Sequence, residues 1–218
     1  MATVIGYGCC VGSWEKFGAN VRPADQRLII ATSGNAHIAP TYNGMLDAFV
    51  HYHNMHGDLE GVVLQHDDLE ITDPAADEKI GWLLRRYPMG VTGVAGGVTI
   101  HGLDWWNTQT FGRQRVNDRV LQFGELEPGE PAATRQVHML EGSLLILGID
   151  AVQQLRFDPR FVGFHGYDEA TYRAWREGYD VMVADIDTFH HTSLGGASEA
   201  KMQAWHVANG QFKQKWNL

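Results

Sequence analysis

Short apolar runs alternate with segments of helical periodicity along this chain, and the alternation limits the folds available to it. The runs Thr3–Tyr7, Arg27–Thr32 and Gly61–Gln65 are rich in β-branched residues, as expected of strands buried in a sheet. Between the second and third runs, Thr41–His56 carries apolar residues at helical spacing. The alternation predicts an α/β fold in which a mixed, mostly parallel sheet is flanked by helices.

The second part of the chain continues this pattern, with one exception. Asp73 and Pro74 are predicted to be the N-cap and first residue of a helix that Pro88 ends. Further strands are predicted at Val91–Ala95, Leu144–Leu147 and Tyr179–Ala184, and further helices at Glu169–Glu177 and Ala197–Trp216. The exception is Gly96–Gly129, which is rich in Gly, Trp and charge and is predicted to be loop-rich surface.

The length and net charge of the chain limit the number of domains and the kinds of binding partner that we expect. A chain of 218 residues suits one α/β domain, and we expect a single domain over residues 1–218. The net charge of −9 disfavours an electrostatic grip on nucleic acid or an anionic membrane over the whole surface. Arg113, Arg115 and Arg119 form a local basic stretch that could face a phosphate, although a solvated loop is the commoner interpretation.

The cysteines and the lack of long apolar runs indicate the expected compartment. Cys9 and Cys10 are adjacent, so a disulfide between them would need unusual strain. No apolar run is long enough to span a bilayer, and the N-terminus shows no basic segment followed by an apolar signal core. We expect a reducing, cytoplasmic location with any membrane association peripheral, and the oligomeric state stays open.

Three polar residues, His66, Asp67 and Asp68, follow the predicted strand Gly61–Gln65 directly. Open α/β sheets bind ligands at this end of their strands. A carboxylate here could hold a divalent cation that neutralises a leaving diphosphate, as sugar transfer from a nucleotide requires. Asp68 suits that role, with His66 facing the nucleotide and Asp67 supporting the loop or the ribose. A turn-forming surface segment is the alternative.

A second acidic pair opens the next predicted helix. In Phe164–Glu169, a loop with aromatic residues and a glycine is followed by Asp168 and Glu169 at the start of the predicted helix. Backbone N–H groups at a helix start favour negative charge. Asp168 could act as a general base that removes the proton from an acceptor hydroxyl. The alternative is that Asp168 is only an N-cap.

Two adjacent histidines, His190 and His191, follow the predicted strand Tyr179–Ala184. One imidazole could complete a metal site with Asp68, and the sequence leaves open which of the two does so. A carboxylate with an imidazole suits Mn²⁺ or Mg²⁺, and Mn²⁺ is the better match for a nitrogen ligand. Zinc fits less well.

Several landmarks occur in a fixed order along most of the chain. They are Ala39–Gly44, Leu64–Ile71, Gly93–Gly97, the pair Trp105-Trp106, Phe157-Asp158 and Phe164–Asp168 with Gly178-Tyr179 beyond it. In order and spacing they resemble the glycosyltransferase-like family of the streptomycin-biosynthesis type, a relative of the family-2 glycosyltransferases.

The resemblance implies a GT-A fold and a metal-dependent, inverting transfer of a sugar from a nucleoside diphosphate, expected to be UDP, to an acceptor hydroxyl. Asp168 matches the catalytic base, although a helix that looks shorter than usual leaves Glu169 as a second candidate. The first strand also lacks the usual Asn-Glu after it. The implied nucleotide-sugar contacts are Gly6, Tyr7, Gly8, Ser33, Asn35, Tyr42, Asn43, His66, Asp67, Trp105, Trp106 and His165, with Asp68, His190 and His191 as candidate metal ligands.

Other interpretations stay open. Trp105 and Trp106 could stack on a sugar face or fill a small hydrophobic core. The same Asp and His groups could instead activate water in a metal-dependent phosphoesterase, and a non-catalytic carbohydrate-binding module is a third possibility. The acceptor could be a polysaccharide, a metabolite, a protein or a hydroxylated DNA base, because the sequence offers no acceptor code.

Overall fold

Two β-sheets and six α-helices make up the part of the chain that the computed structural model describes, which is residues 4–21, 28–33, 38–117, 119–161, 165–191 and 199–218. The strands are β1 (Val4–Val11), β2 (Leu28–Ser33), β3 (Leu59–His66), β4 (Leu69–Ile71), β5 (Gly90–Gly93), β6 (Ala95–Val98), β7 (Gln109–Val116), β8 (Arg119–Gln122), β9 (Thr134–Gln136), β10 (Met139–Leu140), β11 (Leu144–Gly148), β12 (Asp180–Ala184) and β13 (Thr188–His190). The helices are α1 (Trp14–Asn20), α2 (Ile38–His56), α3 (Ala76–Arg86), α4 (Ile149–Gln154), α5 (Gly166–Arg176) and α6 (Glu199–Trp216). The predicted α/β class is confirmed.

The larger sheet has seven strands in the order β2-β1-β3-β11-β5-β12-β9. β1 runs parallel to both β2 and β3, and β12 runs parallel to β5. β11 is antiparallel to both of its neighbours, and β9 is antiparallel to β12. Half of the pairings are therefore antiparallel, so the sheet is mixed, and the expectation of a mostly parallel sheet is not confirmed.

The smaller sheet has the order β10-β6-β7-β13-β4, with β8 also paired to β7. Much of it comes from Gly96–Gly129, so the prediction of a loop-rich surface there was wrong. In β7, Gly112 and Gln114 take buried positions while Arg113 and Arg115 are exposed. The inward-facing side of this strand is therefore partly glycine and polar, which hides the apolar alternation that would reveal a strand.

Helices cover both faces of the larger sheet. α2, α4 and α5 pack on one face, where Phe49 and Leu64 are fully buried in the main core. α3 and part of the smaller sheet cover the other face. α6 forms a third core with α5 and the 3₁₀ turn Trp105–Asn107. Within the described ranges, none of the helices is both long and apolar enough to cross a membrane.

The start of α3 differs from the sequence prediction. The helix begins at Ala76 with Ala75 as its N-cap, so the assignment of Asp73 and Pro74 as N-cap and first residue was wrong. Asp73 Oδ1 instead accepts a hydrogen bond from the Ala75 backbone N–H at 2.8 Å, and its Oδ2 pairs with Lys79 at 2.9 Å. These contacts form a turn that precedes the helix, because an Asp side chain readily bonds its own backbone two residues on.

Candidate metal centre and active site

Three side chains converge at the end of β3. His66 is the last residue of this strand, Asp68 lies in the turn that leads to β4, and His190 ends β13. Nε2 of His190 is 3.2 Å from Oδ1 of Asp68, and Nδ1 of His66 is 4.0 Å from the same oxygen. One candidate ligand atom from each residue lies within 4.8 Å of the others. We call His66, Asp68 and His190 the metal-ligand group.

Strand pairing explains how residues so distant in sequence meet. β13 is antiparallel to β4, with His190 opposite Leu69, so its side chain reaches the residue just before Leu69. The metal-ligand group therefore spans both sheets, since His66 belongs to the larger sheet and His190 to the smaller.

The chemistry of the metal-ligand group fits a divalent transition metal. A site with two imidazole nitrogens and one carboxylate oxygen is a better match for Mn²⁺ than for Mg²⁺, which is bound mainly by oxygen ligands. Burial lowers the pKa of His66, which favours the neutral imidazole that metals bind. For Asp68, burial alone would raise the pKa, but the hydrogen bond and charge of His190 outweigh it and lower the pKa to about 2. The carboxylate is therefore ionised at any physiological pH.

His191 lies outside the metal-ligand group. Its Nε2 is 3.5 Å from Oε2 of Glu70, and its backbone N–H donates to the carbonyl oxygen of Asp68 at 2.7 Å. Of the two adjacent histidines, His190 is the one that the structure brings to Asp68. His66 was expected on the nucleotide side, yet its ring faces Asp68, because the turn directs His66 and Asp68 to one side and Asp67 to the other.

Asp67 supports the loop. Its Oδ2 accepts hydrogen bonds from the backbone N–H groups of Gly12 at 2.9 Å and Ser13 at 2.6 Å, and its carbonyl oxygen accepts from Asn20 Nδ2 at 2.9 Å. These contacts tie the turn after β3 to the start and end of α1. Of the two roles considered for Asp67, loop support is the one visible in its contacts.

Asp168 lies in the first turn of α5 and is only 4% exposed. The helix begins at Gly166 with His165 as its N-cap, so Asp168 is not the N-cap residue. Burial raises the pKa of Asp168 to about 6, although His165, whose Nδ1 is 3.1 Å from Oδ2, opposes that rise. A carboxylate with a pKa near the working pH, oriented by a neighbour, is suited to general-base chemistry.

Glu169 makes structural ion pairs. Its side chain is fully buried, and its Oε1 accepts from Lys215 Nζ at 2.8 Å and lies 3.3 Å from Arg173 Nε. These contacts join α5 to α6. Because its carboxylate is engaged by two cations, Glu169 is the weaker candidate for the base.

Tyr167 connects Asp168 with the metal-ligand group. Its ring centroid is 5.9 Å from that of His66, and it precedes Asp168 in the chain. Burial raises the pKa of Tyr167, and the charges of Asp168 and Asp68 raise it further. The start of α5 and the end of β3 therefore border the same region.

Three predicted donor contacts lie inside the sheet rather than at its end. Gly6, Tyr7 and Gly8 are buried in the middle of β1, which continues to Val11. A Cβ atom would come within 2.6 Å of Phe49 at Gly6 and within 2.7 Å of the Leu64 side chain at Gly8. The two glycines make room for the core side chains of Phe49 and Leu64, and a role for these three residues in the donor site stays a prediction.

The other predicted donor contacts lie in different environments. Ser33 is exposed at the end of β2, and Asn35 lies outside the described residues. Tyr42 is fully buried and packs edge-on against Phe157, with centroids 5.4 Å apart. Asn43 bonds the backbone of the same residue, since its Nδ2 donates to Phe157 O at 2.8 Å and its Oδ1 accepts from Phe157 N at 2.7 Å. Tyr42 and Asn43 thus anchor the segment before α5.

Replacing Asn43 with Ala should therefore destabilise the fold rather than weaken donor binding. The change leaves a backbone N–H and a backbone C=O of buried Phe157 without partners, at a cost of about 2–3 kcal/mol. Urea unfolding would measure it, with Asp47→Ala, which loses only an exposed pair with Arg156, as a control expected to change little. Unchanged stability with weakened donor binding would show instead that Asn43 contacts the ligand.

The two tryptophans have different environments. Trp105 is buried in the third core and packs against Phe123, whereas Trp106 is half exposed. Their rings meet edge to face at 5.9 Å, and Trp106 lies 6.4 Å from the ring of Trp205. Trp105 therefore fills a core, and only Trp106 presents a face on which a sugar could stack.

Comparison with known proteins bears on the fold. No protein-family model and no curated protein matches the chain. Among solved structures, GalNAc-T7 with UDP, GalNAc and Mn²⁺ matches 95% of this chain and 47% of its own, at 10% identity and a TM-score of 0.55. The fold is GT-A-like. A197 from STIV matches 88% of this chain and 86% of its own, at 10% identity and a TM-score of 0.54.

The chain spans about half the length of the GalNAc-T7 chain that it matches. At 10% identity, the likeness concerns the fold. The narrower resemblance to streptomycin-biosynthesis-type proteins stays a prediction. In this GT-A-like fold, the metal-ligand group and Asp168 come from the ends of β3 and β13 and from the start of α5.

Sequence reasoning missed one part of this region, the turn Glu141–Ser143 between β10 and β11. The Ser143 carbonyl oxygen accepts a hydrogen bond from the His66 backbone N–H at 2.9 Å. The available signal was an acidic residue and a glycine set between two apolar runs, Met139-Leu140 and Leu144–Leu147. A polar interruption of that kind marks a turn at a sheet end, although it does not reveal which residues the turn faces.

Proposed function

We propose that this protein is a glycosyltransferase that uses a divalent cation and a nucleoside diphosphate sugar. The observation that carries the proposal is the metal-ligand group, His66, Asp68 and His190, at the end of β3 in a GT-A-like fold. The buried carboxyl of Asp168 beside this region supports it, because such a transfer also needs a base. The solved GalNAc-T7 structure contains UDP and Mn²⁺, which supports UDP as the nucleotide and Mn²⁺ as the metal.

Each side chain has a role in the proposed reaction. Asp68, His190 and His66 would hold the cation, which neutralises the negative charge of the leaving diphosphate. Asp168 would accept the proton of an acceptor hydroxyl while that oxygen forms a bond to the anomeric carbon and the bond to the diphosphate breaks. Attack from the opposite side inverts the configuration. His165 would hold the Asp168 carboxylate in position.

The surrounding residues would serve the donor and acceptor. Among the described residues, the exposed Ser33 and the half-exposed Trp106 are candidates for contacts with the sugar nucleotide or acceptor sugar. Asn35, outside the described residues, stays a predicted contact, and Asp67 would fix the loop beneath the diphosphate. The acceptor supplies a hydroxyl and could be a polysaccharide, a metabolite, a protein or a hydroxylated DNA base. The acidic net charge of −9 makes DNA the least favoured of these.

The proposal predicts a nucleotide- and metal-dependent rise in melting temperature. A panel of UDP sugars, each at about 100 times its dissociation constant with Mn²⁺, should stabilise the folded state by about 2.7 kcal/mol. Mn²⁺ should act at lower concentration than Mg²⁺, because two of the three ligand atoms are nitrogen. No response to any sugar nucleotide with either metal would refute the proposal.

A matched pair of variants tests the ligand assignment. His190→Ala should lose the response to Mn²⁺, whereas His191→Ala should keep it, since His191 contacts Glu70 instead.

The products of the reaction distinguish the two candidate reaction classes. Release of UDP coupled to acceptor modification fits a transferase, and metal-dependent cleavage of simple phosphate esters would identify a phosphoesterase.

A further inference from the structure

The proposed mechanism does not use Glu141, a carboxylate on the turn that borders the end of β3 and the start of α5. Glu141 sits on the turn between β10 and β11, and β11 pairs with β3 so that Leu144 is opposite Gln65. This register, with the bond from His66 N to Ser143 O at 2.9 Å, places the turn beside the end of β3. The negative charge of Glu141 favours the protonated forms of His66, His190 and Asp168, although burial outweighs this effect at His66 and lowers its pKa.

The same turn touches the start of α5. A Cβ atom at Gly142 would come within 2.1 Å of the Tyr167 ring, so this ring rests directly on the backbone of the turn. Tyr167 precedes Asp168, and its ring is 5.9 Å from that of His66. The turn that carries Glu141 therefore contacts both the end of β3 and the start of α5.

Partly buried hydrogen bonds hold the Glu141 carboxylate in place. Its Oε2 accepts from the backbone N–H of Ser143 at 3.0 Å and from the Ser143 hydroxyl at 2.5 Å. Gln114 Nε2 in turn donates to the Ser143 hydroxyl oxygen at 2.9 Å, and both Ser143 and Gln114 are buried. A hydrogen-bond network of this kind favours one orientation of the Glu141 side chain.

Among the described residues, the ion pairs formed by lysine and arginine side chains do not include Glu141. Glu169 on α5 shows the contrast, since Lys215 and Arg173 engage it. An ionised carboxylate accepts hydrogen bonds at both oxygens, and the bonds from Ser143 use only Oε2.

Under the proposed function, the donor sugar must lie between the cation that holds its diphosphate and the base that serves its acceptor. The turn that carries Glu141 borders both of these regions. We propose that Glu141 accepts hydrogen bonds from hydroxyl groups of the donor sugar and so sets which sugar the enzyme takes. The inference rests on the proposed glycosyltransferase function and adds a sugar-selecting residue to it.

The test compares binding of UDP alone with binding of UDP-glucose, UDP-galactose, UDP-N-acetylglucosamine and UDP-N-acetylgalactosamine, all with Mn²⁺. In the wild type, one sugar should bind at least tenfold more tightly than the worst of the others. In Glu141→Gln, that preferred sugar should lose about 10- to 100-fold in affinity, because a hydrogen bond to a charged acceptor is lost. UDP alone should bind within threefold of wild type.

The choice of variants keeps the test interpretable. Gln can still accept the bonds from Ser143, so Glu141→Gln retains the fold of the turn, and unchanged binding of UDP with Mn²⁺ verifies that. Glu70→Gln, which alters a carboxylate that pairs with His191, should leave sugar preference unchanged.

The outcomes separate the two proposals. If the wild type binds no sugar nucleotide, both the proposed function and the role of Glu141 are overturned. If the wild type binds and discriminates, and Glu141→Gln discriminates equally well, only the role of Glu141 is overturned. Loss of UDP binding and sugar binding to the same extent would also overturn it, since the effect would then be on the metal rather than on the sugar.

Discussion

Asp168→Asn should abolish sugar transfer while making the protein more stable. The asparagine cannot take a proton, so the transfer rate should fall by about 10²- to 10⁴-fold. Burial raises the pKa of Asp168 from 3.8 to about 6, so keeping this group ionised at neutral pH costs up to about 3 kcal/mol. The amide has the same shape, keeps an oxygen for His165 and carries no charge. Donor binding should be retained.

The effect on stability should depend on pH in a defined direction. Because the folded-state pKa is raised, the folded chain binds more protons than the unfolded chain between pH 3.8 and about 6, and the contribution of Asp168 to stability falls as pH rises through this window. The advantage of the variant should therefore be small below pH 4 and complete above about pH 6. Urea unfolding across this range measures it. Transfer by the wild type should rise through the same window as the base ionises.

Glu169→Gln is the matched control on the same helix. Its carboxylate is buried with Lys215 and Arg173 as partners, so removing its charge should destabilise the protein by about 2 kcal/mol or more. Transfer should change far less than in Asp168→Asn. Normal turnover by Asp168→Asn would refute the base assignment, and loss of turnover in Glu169→Gln alone would move it to Glu169.

Asp68→Ala should remove metal dependence. The change takes away the only carboxylate of the metal-ligand group and leaves His66 and His190 without the oxygen that they face. Transfer should fall on the order of 10²- to 10³-fold, the usual loss when a group that stabilises developing charge is removed. Mn²⁺ should no longer raise the melting temperature. Titration calorimetry with Mn²⁺ and a transfer assay measure the two effects separately.

Asp67→Asn provides the comparison at the neighbouring position. Asp67 bonds Gly12 and Ser13 rather than the metal-ligand group, so this variant should lose some stability but keep its response to Mn²⁺. A normal Mn²⁺ response in Asp68→Ala would show that the cation, if bound, is held elsewhere.

The strands of the larger sheet were predictable from sequence because most are covered on both faces. β1, β3, β11 and β12 are continuous apolar runs, and each was predicted within a few residues of its observed bounds. The smaller sheet was missed because β7 buries Gly112 and Gln114 and exposes arginines. β7 is a strand because it pairs with β6 and β13, and such long-range pairing cannot be predicted from the local sequence.

Candidate site residues could be predicted from sequence where they lie at the end of a strand or at the start of a helix. Asp68 follows a buried strand and Asp168 opens a helix, and both facts are visible in the sequence. Glu141 was not found, because it reaches the site through the register of β11 on β3. Gly6 and Gly8, which the family resemblance implied as donor contacts, lie inside β1, where the side chains of Phe49 and Leu64 approach them closely.

The metal-ligand group joins two sheets, and this has a consequence for how the protein holds together. His66 ends a strand of the larger sheet and His190 ends a strand of the smaller one, with Asp68 at the crossing between them. A cation held by all three residues would link the two sheets. Its binding would then be thermodynamically coupled to the packing of one sheet against the other. Substitutions far from the metal that loosen the packing between the sheets would then weaken cation affinity. The stability of this packing would therefore set the cation concentration that the protein needs.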